Sequence, residues 1–189
     1  MAPGIYRPGE ETMSSFISTR IARSVDPDAK VTLLDSPKHP ALAALLACWE
    51  EKRRGRPFPD RADIRPEEFR RMLPHVGIAE VLDGGADFRF RLFGAELSSI
   101  TGFDRTGEKF SEMKAASHSK LTDKVMQERW SEAMRAVLLL AGPLSLKTPV
   151  ARVGDEEPLD MHALLLPFTT GGEEIGQILG AVFILPREE

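Results

Sequence analysis

Between Val76 and Leu185 the apolar residues follow strand spacing, except for one long central stretch that follows helical spacing. That order restricts the fold more than any other property of the chain. Val76, Ile78, Val81 and Leu82 mark a first strand, and Asp83-Gly84-Gly85 supplies a turn whose residues tolerate positive φ. Phe88, Phe90 and Leu92 alternate with Arg89 and Arg91, which predicts a second strand with its apolar row on one face. Leu121, Val125, Met126, Trp130, Met134, Val137 and Leu138 then recur on one stripe. A helix is therefore expected from Ser117 to Ala141, ended by Gly142-Pro143. Shorter helical pieces are expected over Glu96 to Thr101 and around Phe110. Three further strands, Leu144 to Val153, Leu159 to Phe168 and Ile175 to Leu185, are joined by turn signals at Gly154-Asp-Glu-Glu and Thr169-Thr-Gly-Gly. Two strands, helices, then three hairpin-linked strands predict an α+β domain: a five-stranded antiparallel sheet of order 2-1-5-4-3 with helices on one face.

Upstream of that core the pattern changes twice. Residues 1 to 35 are polar and broken by prolines, and read as a partly flexible N-terminal extension. Residues 36 to 74 read as helices and a connector. Ser36 is placed to cap a helix that carries Leu42, Leu45, Leu46 and Trp49 on one face, and Gly55 stops it. Arg56-Pro57-Phe58-Pro59 keeps the next stretch extended, and Asp63 is placed to cap a short helix from Arg65 to Met72, closed by Pro74. Residues 75 to 186 form the expected core. The Trp49 face exceeds what one helix needs, so the sheet or a second subunit must cover it; Leu42, Leu45, Leu46 and Trp49 are candidate interface residues.

Composition excludes several function classes. The net charge of −4, with both signs abundant, gives no global field to attract nucleic acid or an anionic membrane. Cys48 is the lone cysteine, so no disulfide framework or thiolate metal site is available. No apolar run is long enough to span a bilayer, and the start of the chain lacks an apolar signal core. A cytoplasmic protein is the expectation.

Several residues in fixed order then resemble a known family. They are Trp49, Arg54-Gly55-Arg56-Pro57, Pro59, Arg61-Ala-Asp-Ile, Pro66, Leu73-Pro74, Arg91-Leu-Phe-Gly94, Thr106-Gly107, Gly142-Pro143 and Leu164-Leu-Leu-Pro167. From Pro40 to Pro186 the chain is similar to the PAS-domain family found as short single-domain proteins in alphaproteobacteria. It departs at Cys48, where an aromatic is expected, and at Ala95, where a threonine often follows the glycine. The resemblance implies a PAS-like fold and a sensory or protein-interaction domain rather than an enzyme. It also implies a hollow between sheet and helices for a small molecule, and a homodimer or a signalling protein as partner.

The candidate hollow is lined by Phe90, Leu92, Ile100, Phe103, Phe110, Met126, Trp130 and Met134, with Arg129 and His162 placed to orient a ligand. The same stripe could equally make a filled core. No cofactor is evident. A haem would need an axial histidine, for which His118 is the best-placed donor, but four scattered histidines do not favour one. A light-sensing flavin needs a reactive cysteine beside its ring, and Cys48 lies in the N-terminal helix instead. Arg61 and Arg65 imitate a phosphate-gripping pair, yet residues 50 to 71 hold eight cationic against six acidic side chains and read as a mixed-charge surface. Arg91, beside Gly94, is expected to pair with Asp63 or Glu80 and lock the connector to the sheet. Asp160 and His162 share a strand face, the basis of an alternative reading as a small α+β pocket isomerase or dehydratase. A third reading is an interaction module with no ligand.

Overall fold

A computed structural model describes residues 31–115, 122–150 and 159–186. In chain order the elements are β1 (Thr32–Leu34), α1 (Pro40–Arg53), β2 (Val76–Leu82), β3 (Asp87–Phe93), α2 (Ala95–Thr101), α3 (Asp123–Leu140), β4 (Leu144–Val150), β5 (Leu159–Thr169) and β6 (Ile175–Pro186). One antiparallel sheet runs β1-β4-β5-β6-β2-β3. The five expected strands take the expected order. A sixth, Thr32–Leu34, adds itself to the β4 edge, with Leu33 opposite Leu146. Three residues are too few to show a period of two, which is why the sequence hides it. The expected start of the long helix at Ser117, its Leu121, and the Gly154-Asp-Glu-Glu turn lie outside the described residues. No helix among the described residues is long and apolar enough to cross a membrane.

Both sheet faces are covered. On the inner face α3 packs Met126, Met134 and Val137 against Phe88, Phe90, Leu165 and Ile178. On the outer face α1 packs Leu42, Leu45 and Trp49 against Ile78, Leu164, Leu166 and Leu179. This explains the unbroken apolar run Ala163 to Phe168 in β5: a strand buried on both faces has no reason to alternate. Burying each large α1 side chain contributes about 1.5–3 kcal/mol. The buried indole Nε1 of Trp49 also donates to the Pro167 carbonyl at 2.8 Å.

The helix start differs from expectation. His39, not Ser36, caps α1: its Nδ1 accepts from Ala41 N at 3.2 Å, and Pro40 occupies the first helical position. At the other end Arg54 is left-handed at φ 51°. The connector is also tighter than the predicted helix. It forms three single 3₁₀ turns, Arg61–Asp63, Pro66–Phe69 and Leu73–His75; extended Ile64 and Arg65 separate the first two, and a turn through Arg70 and Met72 joins the last two. Asp60 ties it down. Its carboxylate accepts from Ala62 N at 2.9 Å, Thr169 Oγ1 at 2.9 Å and Gly171 N at 2.7 Å, while Thr169 N donates to Pro59 O.

Two details of β3 set the site. Gly77 faces Phe93 and Ile78 faces Leu92, but Ala79 faces Phe90, so Arg91 is the extra residue of a bulge. Beyond it Gly94 meets the Leu73-Pro74 backbone so closely that an added Cβ would collide with the Pro74 oxygen. Gly94→Ala must displace backbone, and a loss of about 1–3 kcal/mol is expected by urea titration; an unchanged midpoint would refute the contact. Donation by Ala62 N, then by Gly171 N and Thr169, holds Asp60 below the ordinary 3.8. Asp60→Asn is therefore expected to cost about 1 kcal/mol at neutral pH. Because the folded value is the lower one, the wild-type advantage exists above 3.8 and disappears as pH falls through the folded value. Equal midpoints at neutral pH would remove Asp60 as a clamp.

Candidate functional site

The inner face of the sheet, where the ligand hollow was expected, carries a cluster of rings. Phe90 lies 4.5 Å from Phe110, 4.7 Å from Phe93 and 5.5 Å from Trp130, centroid to centroid, with edge or tilted geometry. Phe88 joins at 5.4 Å from Phe110. Met113, Met126 and Met134 are buried around them. Such spacings are those of aromatic side chains in direct contact.

Phe110 reaches the centre from the single 3₁₀ turn Phe110–Glu112, which is held at both sides. Asp87 accepts from Ser111 Oγ at 2.7 Å, and Gly107 and Glu108 exchange backbone bonds with Phe90 at the β3 edge. Arg105, only 1% exposed, fastens the other side. Its Nη1 donates to Glu108 at 2.9 Å, and its Nη2 to the Lys114 carbonyl at 2.7 Å and to Met126 Sδ at 3.6 Å. Sequence reasoning missed Arg105, because a lone arginine between Asp104 and Thr106 reads as loop surface.

Phe90, Phe110, Met126, Trp130 and Met134 therefore come together as expected, with Ile100 packed beside them. Leu92 does not. The Arg91 bulge reverses the alternation, so Leu92 packs on the outer cluster and Phe93 takes its place inside. Phe103 is also a correction: it is 47% exposed, under the Arg105 guanidinium at 5.4 Å. His162 is on the wrong face for this hollow, since Met161, Ala163 and Leu165 point to α3 while His162 alternates outward with Leu164. Arg129 remains on the inner side. Its Nη2 donates to the buried Thr148 Oγ1 at 3.0 Å, and burial lowers its pKa from the usual value.

The other assignments are redistributed. Leu42, Leu45 and Trp49 are buried against the chain's own sheet and Leu46 packs beside them, so that face offers no interface to a second subunit. Asp63 accepts from Arg56 and from Asp60 N rather than from Arg91, which is exposed at its bulge. Arg61 Nη1 is engaged by the Ile64 carbonyl at 2.9 Å. Asp160 lies 3.7 Å from Lys147. Cys48 packs beside the outer cluster, where burial pushes its thiol up. His118 lies outside the described residues. Among the described residues no group of three or more His, Cys, Asp or Glu could hold a metal ion.

Comparison with known proteins supplies one family. A sequence model described as PAS domain matches residues 37–183. No curated protein matches the chain. A solved structure described as a sensory box histidine kinase/response regulator from Burkholderia thailandensis E264 is similar over 65% of this chain and 86% of that one. The two share 12% sequence identity, with a TM-score of 0.35.

Truncating a ring distinguishes a packed inner face from a hollow one. Phe110→Ala is expected to cost about 3–5 kcal/mol and to leave a space that benzene refills, raising the melting temperature. A cost below about 1 kcal/mol would mean that the space beside Phe110 is already open.

Proposed function

Because the chain belongs to the PAS-domain family, we propose that it is a sensory or regulatory domain that works by contact with another protein rather than by enclosing a small molecule. One observation carries this reading: the side chains expected to line a hollow touch one another instead. Phe90, Phe110 and Trp130 lie 4.5–6.2 Å apart centroid to centroid, and Phe93, in place of the expected Leu92, joins them at 4.7 Å from Phe90. Rings in contact at the centre of the inner face leave the surface of the domain as the place for recognition. The partner is a signalling protein or a second copy of the chain. A cytoplasmic setting suits the lone thiol of Cys48.

The competing small-molecule reading would have Arg129 as its anchor, since its guanidinium lies on the inner side against a neutral hydroxyl. The isomerase or dehydratase reading has less support. Asp160, its proposed orienting partner for His162, is close to Lys147, and both strand residues sit on the outer face, away from the ring cluster.

Native mass spectrometry of the protein purified from its host separates these readings. The bare chain, or the chain with a second polypeptide, is expected; a stoichiometric small-molecule adduct would overturn the proposal. Light scattering on the same sample then tells a second copy from a different partner.

A further inference from the structure

Three of the chain's four histidines gather around one ring on the outer face of the sheet. His39 and His75 stack on Phe183 at 3.8 and 4.1 Å, nearly parallel to it. Two rings cannot share one face at those distances, so the imidazoles sandwich the phenyl ring. His162 stands directly across the β5–β6 pair from Phe183. His39 has a second task. Its Nδ1 accepts from Ala41 N, and it is the cap of the helix that covers this face.

That bond requires neutral imidazole with its proton on Nε2. An imidazolium has two donors and no acceptor. It would also place a positive charge at a helix N-terminus, where the macrodipole is already positive, and the first turn of α1 has no acidic residue to offset it. We propose that the His39–Phe183–His75 cluster makes the start of α1 acid-sensitive: proton uptake at His39 Nδ1 removes the cap, frays the first turn and loosens Leu42 from the sheet. Leu45 and Trp49 hold the rest of the helix in place, so the change is local.

The surroundings oppose a charge on His39. Burial lowers its pKa below the usual 6.5, and the neighbouring His75 adds to that. The folded value is the lower one, so the stabilising cap is complete above 6.5 and is lost as pH falls from there toward the folded value. The ionisable groups around it are Asp35 and Lys38 on the approach to α1, His75 beyond Phe183, and His162 on β5, with the Lys147–Asp160 pair alongside on β4 and β5. Neither Asp35 nor Lys38 is buried.

Hydrogen exchange of the α1 amides from Ala43 to Ala47, corrected for intrinsic rates, reads the device on the full chain at about pH 7.5 and about pH 5.5. Wild type is expected to open about five- to tenfold more at the lower pH, the scale of one lost helix cap. His39→Asn supplies a cap that cannot titrate and is expected to stay protected at both values. Equal protection of wild type at the two pH values would overturn the proposal. So would an equal acid response in His39→Asn, which would assign the effect to other groups. As a stimulus for the sensory domain, acidity fails separately from the partner-contact reading: a pH-blind α1 leaves that reading standing, and a small-molecule adduct leaves this one standing.

Discussion

β5 is buried from His162 to Thr169 without a break, so neither covering layer can leave the sheet without exposing a row of its side chains to water. The rest of the architecture answers to that constraint. α3 closes one face and α1 the other. The connector between α1 and β2 has to stay close enough to complete the outer layer, which it does with Ile64 and Phe69. Apolar burial sets the scale of these attachments, and the polar contacts place them. Trp49 fixes where α1 lies along β5, and Asp60 fixes where the connector meets the β5–β6 turn.

The two faces differ in kind. The inner one is a set of rings in contact, braced at the rim by a buried guanidinium and by Asp87. The outer one is a helix on a sheet, with imidazoles at the helix entrance. Disturbing the first means removing packed volume. Disturbing the second takes a single proton at a cap. A responsive element is expected where stability is locally low, and the first turn of a helix meets that condition better than a ring cluster does.

Strand order and the long helix were legible because they rest on periodicity and turn chemistry, which are local. Asp83-Gly84-Gly85 turns where expected, and Phe88 and Phe90 point as their alternation says. What failed was whatever a single local event could invert. The Arg91 bulge exchanged Leu92 for Phe93. In β5, where both faces are buried, hydrophobicity could not say which face His162 takes. The covering of Trp49 stayed open between the sheet and a second subunit because the sequence cannot show that the surface is the chain's own β5–β6 hairpin. The connector turned at every third or fourth residue instead of forming one helix, since Asp60 and Pro66 each start a new turn. Arg105 had no pattern at all to announce it.

The bond from Trp49 to Pro167 joins residues 118 positions apart. During synthesis, α1 emerges long before the strand that receives it, and its seat exists only after β5 and β6 have paired. Leu42, Leu45 and Trp49 must therefore wait in water, or in the grip of a chaperone, until β5 and β6 have left the ribosome. Among the described residues the earliest helix is one of the last to be housed, and a ribosome stalled before β5 would present the cell with a sticky, unfinished product.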